Sequence, residues 1–277
     1  MKIDFKKLII IPIILVIFSL VIIVNNIITY GFFMERDVEL SGGLRITVPI
    51  KDSVDVKKIE NVLKDAYVRV ARGYDTNILL IQTKEMDEKN VISKLKEVVE
   101  FDESKIEIGR IDTAVGSIFW KQAQIALILS FIAIFFIVFV AFRNFIPSIA
   151  MTLSTLCDVI IVIAFLSLLG VKLSLPVLAG LLMIIGYSVD TDILLATRML
   201  KRVGEMDEKI YSAIKTGMTM TLTSMAALFC MYIFSGETVL KDISLTLLIG
   251  LGADIINTWI TNTNLFLWWL KKGKKSS

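Results

Sequence analysis

The chain has 277 residues, 55% of them hydrophobic, and a mean hydropathy of +0.73, which exceeds the roughly 45–50% apolar content of soluble domains and predicts segments buried in lipid. The formal net charge is only +3 and the 30 basic residues are dispersed, a pattern that argues against a nucleic-acid partner. The sequence contains no histidine, which excludes imidazole as a metal ligand or proton relay, so any proton chemistry has to use carboxyl groups.

The first apolar run covers residues 8–30 and exceeds the roughly 20 residues that span a bilayer. A secretory signal peptide would have a shorter apolar core of about 7–15 residues and a small-residue cleavage site, and neither is found. We therefore expect residues 1–30 to form a cytoplasmic N-terminus and a first membrane span that stays in the mature protein.

The segment 31–117 is predicted to form a domain outside the membrane. Strand patterns occur at 44–50, 67–71, 77–83 and 104–111, and amphipathic helix patterns at 54–65 and 87–100. Gly73 marks a turn between the second and third strands, so these strands are expected to form a hairpin. The order βαββαβ is typical of the ferredoxin-like α+β sandwich. Gly42 and Gly43, at its start, predict a tight turn with positive φ.

Five further apolar runs predict the remaining membrane spans, at 123–142, 146–169, 175–200, 217–234 and 244–270. Pro147 and Pro176 stand at span starts, where the missing N–H costs little. Cys157 and Cys230 fall inside these runs and imply no disulfide framework. The expected architecture is therefore an α-helical bundle of six transmembrane helices, with the second to sixth spans in 118–270 and a basic cytoplasmic tail at 271–277.

The distribution of Lys and Arg beside the spans predicts their orientation. One set flanks the first span, the second and fourth connections between spans, and the end of the sixth span: Lys2, Lys6, Lys7, Arg143, Arg198, Lys201, Arg202, Lys209, Lys215, Lys271, Lys272, Lys274 and Lys275. The short loops on the other side carry only Lys172 and Lys241. Both termini of this cell-membrane protein are therefore expected in the cytoplasm, and residues 31–117 outside.

Four aspartates fall inside the predicted spans: Asp158, Asp190, Asp192 and Asp254. An ionisable side chain at mid-membrane costs about 2.5–3.5 kcal/mol on insertion scales, which favours a functional role. At about 1.5 Å per residue, Asp158 and Asp254 lie about 17 Å and about 15 Å along their spans, near the middle of a core about 30 Å thick. We interpret the four as candidates for proton coupling, with a neutral, hydrogen-bonded structural carboxyl as the alternative.

The fourth span carries two of these carboxyls close together. Asp190 and Asp192 are separated by about 200° around a helix, so they should point to opposite sides. If both avoid lipid, other helices surround this span. Tyr187 and Arg198, at offsets of four and seven from Thr191, are placed on the face of Thr191. Arg198 is expected either to neutralise a carboxylate, which makes it a further coupling candidate, or to extend to the lipid headgroups.

The sixth span carries polar residues at spacings of three and four: Asp254, Asn257, Thr258, Thr261 and Asn264. Around the carboxyls we predict a polar seam that consists of Tyr187, Thr191, Asn257 and Thr261. For hydroxyl groups in lipid, interhelical hydrogen bonding without further function is the competing interpretation. Gly180 and Gly186 of the fourth span predict close approach of a neighbouring helix.

Several motifs resemble the SecF family of protein-export membrane proteins. The stretch GYSVDTDI at 186–193, followed by Arg198, is similar to the family signature GYSxND[ST]I…R, and LSGG at 40–43 resembles the family's FTGG segment. CDVI at 157–160 and TLTSMAAL at 221–228 resemble the third and fifth spans of the family. The Asp-Thr-Asp form is more similar to archaeal members. Asp190 is favoured for the family's acidic position because Asp158 is expected to face it, with Asp192 as the alternative.

The resemblance implies half of a resistance-nodulation-division type bundle that associates with SecD and membrane lipids. It implies an accessory role in protein export, in which SecD, the Sec channel and the translocating polypeptide are partners and, in bacteria, the proton gradient is used. It implies no enzyme activity, no catalytic residue, no cofactor and no metal. Two other functions stay open: a half-size proton-driven exporter of lipids or drugs, and a membrane scaffold that does not transport.

Overall fold

Long apolar helices and one small sheet make up the chain. The computed structural model describes residues 8–50, 54–63, 66–72, 77–85, 87–99, 101–102, 105–235 and 238–275. In chain order the elements are α1 (Ile10–Tyr30), α2 (Val38–Ser41), β1 (Gly43–Ile50), α3 (Val56–Val62), β2 (Tyr67–Arg72), β3 (Asn77–Thr83), α4 (Glu88–Lys96), β4 (Glu107–Ile111), α5 (Thr113–Phe142), α6 (Phe145–Leu168), α7 (Leu175–Ala196), α8 (Met206–Phe234), α9 (Thr238–Ile256) and α10 (Thr263–Lys275). Two π-helical segments adjoin them: π1 (Thr197–Lys201) extends α7, and π2 (Asn257–Asn262) joins α9 to α10.

Among the described residues, five helices are long and apolar enough to cross a membrane: α1, α5, α6, α7 with π1, and α8. The chain is therefore a multi-pass membrane protein. The sixth predicted span, 244–270, is helical as well, but it is divided among α9, π2 and α10 and does not belong to these five. α5 and α8 begin at Thr113 and Met206, before the predicted 123 and 217, because each helix also includes flanking residues that carry charged side chains, such as Lys121 in α5 and Asp207 in α8.

α7 lies against α5, α6, α8 and α9. Its contact with α9 is close because glycines remove side chains from the interface. A Cβ atom on Gly180 would lie 2.8 Å from Thr246, and one on Gly250 would overlap Ile184. The prediction of close approach is therefore confirmed at Gly180. At Gly186 a Cβ atom would meet nothing in the described chain within 4 Å, so no helix of the described chain approaches closely there.

The four strands form an antiparallel sheet in the order β2-β3-β1-β4. In its centre, Ile46 of β1 pairs with Ile81 of β3 and with Ile108 of β4. The sheet, α3 and α4 enclose a core of buried aliphatic side chains that includes Leu44, Ile46, Val48, Ile59, Leu79, Ile81, Val91 and Leu95. Strands and helices follow one another along the chain in the predicted order, whereas the predicted turn at Gly73 lies outside the described residues.

The tight turn predicted at the start of this α/β domain is confirmed. Gly42 and Gly43 have φ angles of 83° and 144°, which side-chain-bearing residues rarely adopt. A Cβ atom on Gly42 would also lie 2.6 Å from the Cα of Thr113, at the start of α5. The two glycines therefore let the domain begin directly beside the membrane helix that follows it.

Polar contacts hold the sheet against one end of the bundle. Arg69 of β2 donates two hydrogen bonds of 2.8 Å to the carboxylate of Asp242, near the start of α9. The Tyr67 hydroxyl donates to the carbonyl of Gly170, between α6 and α7, at 2.9 Å. Arg69 and Asp242 are both largely buried, and two parallel charge-assisted bonds fix orientation as well as distance. The domain is therefore attached to α9 and to the α6–α7 connection.

Asp37 lies in this junction and is buried. Its carboxylate accepts hydrogen bonds from the main-chain N–H of Val38 at 2.5 Å and from the amide of Gln82 at 2.9 Å, and it lies 3.4 Å from the guanidinium of Arg45. Burial raises the pKa of the Asp37 carboxyl to about 6, because the loss of hydration outweighs the attraction of Arg45, and nearby Glu39 adds to the rise. The junction therefore contains a group that titrates in mildly acidic solution.

Replacement of Asp37 by Asn should stabilise the protein more at about pH 7.5 than at about pH 4. The native carboxyl has a pKa of about 6 against an ordinary value of 3.8, so the native state holds the proton more tightly and the wild-type free energy of unfolding falls as pH rises between these values. Asn keeps the helix cap but cannot ionise. We expect a relative gain on the order of 2 kcal/mol at the higher pH and almost none at the lower.

Thermal unfolding of the purified protein in detergent at both pH values measures this difference. Asp55→Asn is the matched control, since Asp55 caps α3 in the same way but is exposed. An effect of Asp37→Asn that is the same at both pH values would contradict the assignment.

Candidate functional site

Three of the predicted aspartates meet inside the helix bundle. Asp158 of α6, Asp192 of α7 and Asp254 of α9 are each 0% exposed. The helices that carry them pack against one another, with α9 in contact with both α6 and α7. Carboxyl groups from three helices therefore share one buried site, which we call the carboxyl cluster.

The carboxyl of Asp158 is held by neutral donors from two other helical segments. The Ser188 hydroxyl of α7 donates to Oδ2 at 2.7 Å, and the Asn257 amide of π2 donates to Oδ1 at 2.7 Å. The Thr155 hydroxyl lies 3.2 Å from that of Ser188. Both oxygens of Asp158 are thus satisfied without a cation.

Hydroxyl groups link the other two carboxyls. The Thr191 hydroxyl donates to Asp254 Oδ2 at 2.8 Å. The Thr258 hydroxyl lies 2.9 Å from Asp254 Oδ1 and 2.9 Å from Asp192 Oδ1. Since a hydroxyl has one hydrogen, Thr258 donates to only one carboxyl at a time. The Asn262 amide donates to Asp192 Oδ1 at 2.5 Å, while Asp192 Oδ2 has no hydrogen-bond partner among the described residues.

Among the residues that the structure describes, no basic side chain forms an ion pair with the carboxyl cluster. The ion pairs formed by the described residues lie in the α/β domain or between it and the bundle, and none includes Asp158, Asp192 or Asp254. An ionised carboxylate in such surroundings is costly, because neither water nor a counter-charge compensates for its lost hydration. Chemically, the arrangement is suited to binding and releasing protons.

Asp190 and Tyr187 lie outside the cluster. Asp190 is exposed and Tyr187 is 39% exposed, on the same side of α7 as Gly186. The two aspartates of α7 do point to opposite sides, as the helical step requires. The expectation that Asp158 faces Asp190 is corrected, because Asp158 contacts Ser188 on the opposite side of α7.

The remaining predicted residues are distributed between the cluster and its surroundings. Thr191 and Asn257 donate to cluster carboxyls, whereas the Thr261 hydroxyl is buried and has no partner among the described residues. The Arg198 guanidinium donates to the Ser212 hydroxyl of α8 at 3.0 Å. Arg198 therefore lies at the end of the bundle, and its described hydrogen bond is not to a carboxylate.

The π-helical segment explains why Asn262, and not the predicted Thr261, contacts the carboxyl cluster. In a regular α-helix Thr261, seven residues after Asp254, would share its face. The wider turn of π2 takes one extra residue, so Asn262 reaches Asp192 instead. Sequence periodicity carries no signal for this shift. Ser188, by contrast, lies one turn before Asp192, and the same spacing rule indicates it as a cluster residue.

The fold and the cluster define a multi-pass membrane protein with ionisable groups inside its helix bundle and an α/β domain at one end. A family model described as "Protein export membrane protein SecD/SecF, C-terminal" matches residues 90–272. The chain belongs to this SecD/SecF family.

Curated relatives named protein-export membrane protein SecF match most of the chain. The one from Methanolacinia petrolearia is 40% identical over 98% of this chain and 95% of its own length. The one from Methanocaldococcus jannaschii is 35% identical over 96% of each. A crystal structure of SecDF, a translocon-associated membrane protein from Thermus, has the same fold, with a TM-score of 0.77 at 19% identity. The match covers 96% of this chain and 38% of that longer chain.

Leu substitutions should separate the two aspartates of α7 by their effect on stability. Asp192→Leu leaves the Asn262 amide without its acceptor inside the bundle, while the Thr258 hydroxyl keeps Asp254, and a buried unpaired group costs about 1–3 kcal/mol. Asp190→Leu replaces an exposed carboxyl with an apolar side chain, which breaks no described hydrogen bond and should not lower the stability. Thermal unfolding of the purified chain in detergent compares them, and equal losses of stability would overturn the placement.

Proposed function

We propose that this chain assists protein export as a subunit that acts with a SecD-type partner, the Sec channel and a translocating polypeptide, and that its carboxyl cluster couples this work to proton flow. The family membership and the relatives' names support the export role. The observation that carries the coupling role is the burial of Asp158, Asp192 and Asp254 among neutral donors.

The charge of the cluster is limited by its surroundings. Two carboxylates ionised side by side in a medium of low dielectric constant repel each other strongly, and no cation of the described chain forms an ion pair there. Proton uptake at one carboxyl therefore makes ionisation of its neighbour easier. The Thr258 hydroxyl then donates to whichever carboxyl is ionised. The distribution of protons therefore determines whether Asp192 of α7 or Asp254 of α9 accepts this hydrogen bond.

α9 connects the cluster to the α/β domain. Asp254 lies near one end of α9 and Asp242 near the other, about 18 Å apart along the helix axis. The two hydrogen bonds from Arg69 attach the domain at Asp242. The close contacts of Gly180 with Thr246 and of Gly250 with Ile184 would transmit a shift of α7 to α9, because the packed side chains leave no space for either helix to slide alone. A shift of these helices on protonation would thus reposition the domain against the translocating chain.

The complete topology is part of the proposal. α9, π2 and α10 form the sixth span, and the βαββαβ order with strand order β2-β3-β1-β4 supports a ferredoxin-like domain. The excess of Lys and Arg in the loops opposite the domain supports cytoplasmic termini and an external domain.

The exposed side of α7 supports a partner in the membrane. Asp190, Tyr187 and Gly186 lie there within a spanning helix, and a carboxyl facing lipid is costly. A second helix bundle over this side would shield Asp190, and the open space at Gly186 permits close helix approach. That this chain matches only 38% of the longer SecDF chain is consistent with such a partner.

Asn substitutions test proton coupling because Asn keeps the shape and hydrogen bonds of Asp but cannot release a proton. Asp192→Asn and Asp254→Asn should lower the export rate of secreted substrates about tenfold or more, with normal membrane level and SecD association. Asp190→Asn, two positions away on the other side of α7, is the matched control and should retain most export. Export is measured by pulse-chase in cells that depend on the variant.

A second experiment tests whether the coupled ion is the proton. Dissipating the proton gradient should reduce wild-type export to the level of Asp192→Asn and leave that variant almost unchanged. Undiminished export in the Asp158, Asp192 and Asp254 Asn variants would remove proton coupling and favour the scaffold function. Normal coupling with a sodium gradient alone would identify a different ion.

Charge reversal tests transmission through α9. Arg69→Asp or Asp242→Arg alone places like charges in contact and should reduce export several-fold at equal membrane level. The double variant restores an opposite pair and should recover most of the activity. Lys94→Asp, which breaks a more exposed pair within the domain, is the control. Full export in both single variants would exclude this contact from the transmission path.

A further inference from the structure

Two guanidinium groups converge on one neutral oxygen at the end of the bundle opposite the α/β domain. The Arg198 guanidinium donates to the Ser212 hydroxyl at 3.0 Å, and that of Arg202 donates to the same oxygen at 3.2 Å. None of the ion pairs formed by the described residues includes either arginine. Two like charges held this close repel each other unless an anion lies between them.

The depth of this cluster matches the level of lipid headgroups. Counted at about 1.5 Å per residue from Leu175, Arg198 lies roughly 34 Å along α7 and π1, just beyond a hydrocarbon core of about 30 Å. Ser212 is in the second turn of α8, which returns from the same side. Beside Ser212, Tyr211 is 70% exposed, and tyrosine side chains are enriched at the membrane interface.

We propose that Arg198, Arg202 and Ser212 form a binding site for the phosphate group of a phospholipid. The planar guanidinium fork matches phosphate oxygens in pairs, and the Ser212 hydroxyl, which accepts both present bonds, keeps its own hydrogen to donate. Because Arg198 belongs to π1, the lipid binds the segment that directly follows α7.

Native mass spectrometry of the full chain, purified in maltoside with added phosphatidylglycerol, tests this site. The double variant Arg198→Gln, Arg202→Gln should retain about tenfold less of this lipid, since it loses charge-assisted hydrogen bonds. Arg198→Lys with Arg202→Lys keeps the charge but loses the fork, and should bind several-fold less. Arg143→Asn with Lys271→Gln removes two exposed charges elsewhere on the same side and should stay within about twofold of wild type.

Each result supports or overturns the site. Equal losses in the Gln pair and in the Arg143, Lys271 pair, or a Lys pair indistinguishable from wild type, would mean that only general charge attracts lipid and would overturn it. Inorganic phosphate added to lipid-free protein should not raise the unfolding temperature. If it does so in wild type but not in the Gln pair, while phosphatidylglycerol is not retained, the ligand is free phosphate and the lipid assignment fails.

Discussion

The arrangement of this protein depends on burying three carboxyl groups where lipid offers no hydrogen bonds. Each costs about 2.5–3.5 kcal/mol on insertion scales, and hydrogen bonds from other helices offset that cost. Ser188 and Thr191 on α7, and Asn257, Thr258 and Asn262 on π2, supply those bonds to carboxyls on neighbouring helices. These donors reach the carboxyls only if α6, α7 and α9 lie close together. This requirement explains the glycines at 180 and 250, where a larger residue would separate α7 from α9.

The π-helical segment follows from the same requirement. Three side chains of one helix have to reach two different carboxyls on α6 and α7, and the regular α-helical step would rotate Asn262 away from Asp192. One extra residue in the turn brings Asn257, Thr258 and Asn262 to the cluster together. Single π turns of this kind are frequent at functional sites, because main-chain hydrogen bonding is weakened to position side chains.

Most of the fold is predictable from the sequence, whereas only part of the site is. Apolar runs predicted six membrane helices, five of which are long and apolar enough to span among the described residues, and alternating strands predicted the order of the sheet elements, because lipid and a half-buried sheet impose local patterns. The opposite directions of Asp190 and Asp192 follow from the helical step alone. Which of them faces inward depends on where α6 and α9 lie, and that is not a local property. The spacing of polar residues in the sequence also does not reveal the π-helical turn, so it predicts Thr261 in the cluster where the structure has Asn262.

A cluster with fewer hydrogens than acceptors has more than one arrangement of similar energy. The Thr258 hydroxyl is equally distant from Asp192 and Asp254 and can satisfy only one of them. In the proposed coupling role, adding or removing a proton exchanges these arrangements, and the helices respond because their packed contact at Gly250 cannot deform gradually. In the same proposal, α9 would carry the change to Asp242, where the bidentate contact with Arg69 attaches the α/β domain. In the proposed function, the single hydroxyl between two carboxyls would therefore link proton binding to the positions of α7 and α9.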